Sequence, residues 1–145
     1  MATVGLIPRV RIMVVCDRAR ASKVEADVFD LKGVRQTIHA NAFPFAPSPL
    51  WLYLVLSSPR PGQYPGYIKV FDDFERPIYY GRLSPIPTFD QSMDRLDIDF
   101  LSFCLRIGCS FPAPGRYSMR VYFFQEQGSD VLKAEQPFYV LQEGV

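Results

Sequence analysis

The chain has 145 residues, 16 basic and 15 acidic side chains and a net charge of +1, spread as about +3 over residues 1–40, −2 over 41–100 and zero beyond. That length fits one domain over residues 1–145, which buries roughly 68–70% of the surface of its unfolded chain and needs no covalent staple. There is no basic stripe of the kind that displaces counterions from nucleic acid, no polybasic helix and no long apolar run, so neither a nucleic-acid nor a membrane partner is expected.

Residues Met1 to Pro8 hold no basic stretch followed by an apolar run, which predicts an untargeted chain. The three cysteines, Cys16, Cys104 and Cys109, are an odd number, which argues against a disulfide framework and for a reducing, cytoplasmic setting.

Thirteen prolines, clustered at positions 44–49, 59–65, 85–87 and 112–114, separate short apolar runs and predict strands. Arg9 to Ala19 alternates, with Val10, Ile12, Val14 and Cys16 on one side and Arg9, Arg11 and Asp17 on the other. Ala19 to Phe29 has room for one or two helical turns, with Ser22 and Glu25 as a capping box. Val28 to His39 reads as a second strand. Leu50 to Ser57 is apolar on both faces, as a central strand is. Tyr67 to Phe71 and Ile78 to Leu83 flank a hairpin tip at residues 72–76, and Pro77 places the second of them at a sheet edge.

Between Asp94 and Ile107 the parity changes: Leu96, Ile98 and Phe100 share one phase, and Leu101, Phe103, Leu105 and Ile107 the other. A β-bulge near Phe100 explains this, and a short helix competes with it. The last segment carries the strongest pattern. Pro112, Pro114 and Gly115 precede Tyr117, Met119, Val121 and Phe123 at every second position, and a loop containing Gly128 returns the chain. In that hairpin Tyr117 faces Phe138, Val121 faces Ala134, Phe123 faces Leu132, and Arg120 meets Glu135 on the other face. The expected fold is an all-β, antiparallel two-sheet sandwich of the immunoglobulin-like, Greek-key kind, with about seven or eight strands and at most a short helix; a partly closed barrel is second.

The strand ending Val15-Cys16-Asp17-Arg18-Ala19, the segments Leu31-Lys32-Gly33-Val34 and Phe43-Pro44, the run Leu50 to Leu56 and the stretch Phe111 to Tyr117 together resemble a family of small uncharacterised bacterial proteins with a single immunoglobulin-like β-sandwich domain. The insert-like stretch from Pro85 to Asp94 departs from that pattern. The resemblance implies a fold and a bacterial, intracellular setting, and brings no catalytic residue.

Chemistry is thinly represented. Cys16, Cys104, Cys109 and His39 have the composition of a Cys3His zinc site but lack paired ligands on a knuckle. Cys109, beside Gly108 near a strand end, is a candidate accessible thiol. His39 is the only histidine, and no nucleophile elbow, phosphate loop or His-Glu-x-x-His helix accompanies it, so no enzyme is expected. Asp72, Asp73 and Glu75 at one tip, and Asp90, Asp94, Asp97 and Asp99 elsewhere, lack the spacing of a calcium loop, so no metal or cofactor is expected.

A surplus of aromatics lies on faces that alternation makes wet: Trp51, Tyr53, Tyr79, Tyr122 and Phe124 foremost, with Tyr80 and Tyr139. Either the chain's own loops cover them, or they form a docking surface for a second subunit or a protein partner. Stacking of sugars or single-stranded nucleic acid lacks interleaved basic residues. The function expected is therefore a non-enzymatic protein-interaction or assembly module, possible as a homodimer; the alternative is a small-ligand, calcium or zinc binding module built on the end loops.

Overall fold

The computed structural model describes residues 7–24, 28–47, 50–58, 60–89, 99–125 and 128–143. Among these there is no helix, and eleven strands follow one another: β1 (Arg9–Ala21), β2 (Phe29–Val34), β3 (Thr37–Ala40), β4 (Trp51–Ser58), β5 (Gly62–Gln63), β6 (Gly66–Phe71), β7 (Pro77–Arg82), β8 (Thr88–Phe89), β9 (Asp99–Arg106), β10 (Gly115–Phe123) and β11 (Val131–Gln142). One sheet has the order β2-β1-β4-β9, the other β3-β11-β10-β6-β7, and β5 and β8 form a small ribbon. The two large sheets pack face to face as a β-sandwich. Their order, with β1-β4-β9 opposed to β11-β10-β6 and β7 added at an edge, is that of an immunoglobulin-type sandwich. β3 runs parallel to β11, so the sheets are not antiparallel throughout.

The core follows from alternation. Tyr117, Met119, Val121 and Phe123 of β10 point inward with Ile68 and Val70 of β6 and Phe138 and Val140 of β11. They meet Leu52, Leu54, Leu56 and Val15 from the facing sheet. Burying each such side chain is worth about 1.5–3 kcal/mol. At the start of β10 the Tyr117 hydroxyl donates to the carbonyl of Ala113, closing a tyrosine corner. The position two residues on, a cysteine in antibody domains, is Met119, and all three cysteines of the chain are free thiols.

Several expectations change. Ala19–Ala21 ends β1 and Phe29 begins β2, so no helix forms in the described part of 19–29; Glu25 lies outside the described residues. The run from Val28 to His39 breaks at Arg35 and Gln36 into two strands that join different sheets. A register shift between Val10 and Ile12 reverses the parity of β1, so that Val10, Met13 and Val15 face the core while Ile12 and Val14 face outward. The β4–β9 register runs without a shift from Asp99 to Arg106, so the described part has neither a bulge nor a helix at Phe100; Leu96, Ile98 and the acids Asp90, Asp94 and Asp97 lie outside the described residues. In the last hairpin Tyr117 pairs with Phe138, Val121 with Ala134 and Arg120 with Glu135 as expected, but Phe123 pairs with Val131, because one residue, Lys133, is bulged out of the ladder. β4 is central, and β7, which begins at Pro77, is an edge strand, both as expected.

Candidate functional site

The candidate site is the outer face of the five-stranded sheet. Its rows are fixed by register. One row reads Glu135, Arg120, Lys69, Tyr80 across β11, β10, β6 and β7, and the next reads Leu132, Tyr122, Tyr67, Arg82. Because Ile68 and Val70 fill the core, the opposite parity of β6 puts Tyr67, Lys69 and Phe71 on this face.

Tyr67 is the centre of an aromatic cluster. Its ring stacks on Tyr122 (centroids 5.2 Å apart, 12° between planes) and meets Tyr80 at 5.2 Å and Phe124 at 5.0 Å. Its hydroxyl donates to Asp130 Oδ2 at 2.6 Å. These neighbours leave Tyr67 only 7% exposed, whereas Tyr80 is 49%, Phe124 41% and Leu132 46% exposed. Burial first, and then the carboxylate of Asp130, push the Tyr67 phenol above its ordinary range, so it stays a hydrogen-bond donor. β6 approaches β10 closely here. A Cβ on Gly66 would stand 2.6 Å from the carbonyl oxygen of Tyr122, and only glycine fits that gap.

Beside the cluster lies a charged network. Arg120 gives two parallel bonds to Glu75, Nη1 to Oε2 and Nη2 to Oε1, each 2.7 Å, and a third from Nε to Glu135 Oε2 at 2.8 Å. Its guanidinium lies 4.3 Å from the centroid of the Phe71 ring, so carboxylates and a π-face fix it together. The bond to Arg120 holds the Glu75 carboxyl below its ordinary range. Asp72 is engaged likewise: Oδ1 accepts from the backbone amides of Phe74 and Arg76, and Oδ2 from Arg76 Nε, all at 2.9 Å. An open cleft of about 170 Å³ lies between the hairpin tip and β10, lined by Asp72, Asp73, Glu75, Arg116, Arg120 and Glu135. Two of the three tip carboxylates thus already hold guanidinium groups.

The expected docking residues divide among three places. Tyr122 and Phe124 belong to the cluster described. Tyr79 pairs with the core residue Val70 and packs against the core; its neighbour Tyr80 takes the outer position instead. Trp51 and Tyr53 lie on the outer face of the other sheet, on the far side of the sandwich. There the chain covers part of the face, over Tyr53, while Ile12 and Phe100 on the same face stay 46% and 57% exposed. Phe29 pairs with Ala21, seven residues beyond Val14, the partner of Tyr53, so a straight ribbon would part the two rings by roughly 23 Å. Their centroids are 5.3 Å apart. The end of the β1–β2 ribbon therefore folds back over β4, burying Cys16, Ala19 and Val55 outside the main core. Gly33, at φ 68°, stands opposite Asp17 on that ribbon, where a Cβ would strike the carboxylate at 2.2 Å; Arg35 grips the same carboxylate.

Of the zinc inventory only Cys16 and Cys104 come near each other, on the outer side of β4. Cys104 faces outward opposite Tyr53, Cys109 is a core residue, and His39 is exposed on β3 opposite Leu141. Among the described residues no three His, Cys, Asp or Glu side chains could hold a metal ion together. Cys109 is not the accessible thiol expected: it is 1% exposed, and burial pushes its pKa up to about 12. Sequence reasoning did not single out Tyr67, and it offered Glu75 as a candidate calcium ligand and not as the partner of Arg120. The first was signalled by aromatics at both ends of the β6 parity opposite Ile68 and Val70; the second, 45 residues from Arg120, had no local signal.

No protein-family model matches the chain, and no curated protein matches it in sequence. Among solved structures, the chain is similar to the PmoD soluble domain from Methylocystis sp. ATCC 49242 (Rockwell), with 14% identity over 91% of this chain and 96% of that one. The TM-score is 0.34, a likeness that carries no functional argument. No helix among the described residues is long and apolar enough to cross a membrane.

Proposed function

We propose that this chain is a non-enzymatic protein-interaction module that docks through the outer face of its five-stranded sheet, with the Tyr67 cluster as the anchor. One observation carries the reading. On the other sheet the ribbon covers Tyr53, and the exposed apolar residues Ile12 and Phe100 stand apart on β1 and β9, while here Tyr80, Phe124 and Leu132, between 41% and 49% exposed, are gathered around one buried ring, Tyr67. Tyrosines and arginines held rigid before contact lose little entropy on binding, and such anchors are worth about 2 kcal/mol or more each at the centre of an interface. Arg120 and Phe71 extend the preorganised surface. The alternative, an ion-binding tip, is disfavoured by the engagement of Asp72 and Glu75 with arginine. Three free thiols support a reducing, cytoplasmic setting.

The test is site-specific photocrosslinking in cells, with benzoylphenylalanine placed at Tyr80, at Leu132 and, as a control of equal exposure off this face, at Ile86. Protein adducts at Tyr80 and Leu132 but not at Ile86 are expected. Adducts from Ile86 alone, or from none of the three, would refute the reading.

A further inference from the structure

We infer that the free edge of β9 is a second binding site, which takes an extended segment of another protein as an added antiparallel strand. Four strands end the two large sheets, and three of them carry a device against such pairing. β7 begins at Pro77, and its register with β6 slips between Val70 and Phe71. β3 has only four residues. β2 carries Asp30, Lys32 and the left-handed Gly33, on a ribbon folded back over β4. β9 has none of these. It runs eight residues, Asp99–Arg106, in unbroken register with β4 and holds neither proline nor glycine.

The ladder fixes which backbone groups are free. The Ile107 amide donates to the Leu50 carbonyl at 2.8 Å, and these two residues continue the β4–β9 register one step beyond Trp51 and Arg106. They form a hydrogen-bonded pair, and in an antiparallel ladder such pairs alternate. Leu105, Phe103 and Leu101 therefore turn their amides and carbonyls toward β4, while Arg106, Cys104, Ser102 and Phe100 turn theirs away from it. No described strand meets them on that side. Four donors and four acceptors in a line of about 20 Å match an extended backbone, and a small ligand is too short to pair with them.

The side chains say what the added strand carries. Phe103 and Leu105 are 7% and 8% exposed, against 0% for Leu52, Leu54 and Leu56 of β4, so the core is open along this edge to apolar residues at alternate guest positions. On the outer side Arg106 is exposed and makes no ion pair among the described residues. Its row on that side continues with Trp51 and Cys16, both uncharged, so a guest carboxylate fits opposite it.

The probe is the capped heptapeptide Glu-Val-Thr-Val-Thr-Val-Thr, which in antiparallel register sets its glutamate opposite Arg106 and its valines opposite Leu105, Phe103 and Leu101. It is titrated into the isotope-labelled protein and followed by the backbone amide resonances. Expected are shifts centred on β9 that saturate with a Kd below about 1 mM. N-methylation of the two threonines opposite Cys104 and Ser102, whose amides face β9, should weaken binding about tenfold or more, and N-methylation of the valines opposite Leu105 and Phe103, whose amides face away, by less than about threefold. Ser102→Pro deletes an outward amide without removing a bond to β4, and should lose the peptide about tenfold or more with its thermal melt preserved. If Ser102→Pro fails to fold, the two methylated peptides decide alone. No binding up to about 2 mM, or equal effects of the two methylation patterns, would overturn the inference. A wild type whose dimer in sedimentation equilibrium is lost in folded Ser102→Pro would seat a second copy on this edge and overturn the assignment to another protein. The edge belongs to the sheet opposite the Tyr67 cluster, so crosslinking from Tyr80 and strand addition at β9 can each fail alone.

Discussion

Arg120 and Glu75 are joined by two parallel hydrogen bonds of 2.7 Å across 45 residues of sequence, and this pair ties the tip of the β6–β7 hairpin to the middle of the sheet. Glu75 reaches Arg120 from a left-handed backbone position, φ 60°, which the Asp72 cap helps to hold by accepting from the Phe74 and Arg76 amides. The tip is thus shaped by charge, and its geometry depends on pH.

Both Glu75 and Asp72 have native pKa values lowered, Glu75 chiefly by its bond to Arg120 and Asp72 chiefly by the Arg76 amide. The unfolded chain binds protons more readily than the native one in this range, so stability rises with pH there. The contribution is complete above the ordinary carboxylate range, from roughly pH 5 upward, and is lost as pH falls through the lowered native values. Urea melts between pH 2 and 6 should show this acid limb, and Arg120→Gln should flatten it. An acid limb identical in the variant would contradict the assignment.

Tyr117→Phe removes one oxygen from the tyrosine corner and leaves the Ala113 carbonyl without that donor. A loss of about 0.5–1.5 kcal/mol in chemical denaturation is expected, the net worth of one hydrogen bond, because Ala113 is exposed and water can replace the lost donor. The open face should be untouched, so association should not change in the folded variant.

Gly66→Ala forces a Cβ to within 2.6 Å of the Tyr122 carbonyl oxygen. Backbone must move, and the expected cost is about 1–3 kcal/mol, with weaker packing of Tyr67 on Tyr122. Near-ultraviolet circular dichroism reads the second effect; an unaltered aromatic spectrum at full stability would show that the strands have room to spare.

Much of the fold was legible because alternation and turn chemistry are local. The pairs Tyr117 with Phe138, Val121 with Ala134 and Arg120 with Glu135 follow from parity and a short loop. Phe123 was assigned the wrong partner because the bulge at Lys133 leaves no mark in an alternating pattern. Tyr79 and Tyr80 are adjacent and chemically alike, so only the β6–β7 register, itself shifted between Val70 and Phe71, decides which faces outward. The covering of Tyr53 by Phe29 depends on a ribbon folding back through space. For that reason one sheet's aromatics were indistinguishable in sequence from the other's.

Thiol labelling probes the buried layers. Cys109 and Cys16 are fully enclosed, and burial raises the pKa of both, Cys109 to about 12. At pH 8 the native protein should react quickly with Ellman's reagent at no more than one thiol, Cys104, and at all three once unfolded. Rapid reaction of two or more thiols in the folded protein would contradict the enclosed positions of Cys16 and Cys109.

The most direct measurement is the molar mass in solution over a concentration series, for the wild type and for the double variant Tyr80→Ser, Phe124→Ser, alone and with any protein crosslinked at Tyr80. Both side chains lie at the rim of the cluster and are more than two-fifths exposed, and each makes one ring contact with Tyr67, so the variant should keep its fold with a stability change within about 3 kcal/mol. The docking account predicts that the wild type associates, with itself or with that partner, and that the variant remains a monomer in both mixtures. Equal association of variant and wild type, or a variant that unfolds while the wild type binds nothing, would mean that these aromatics serve the fold alone.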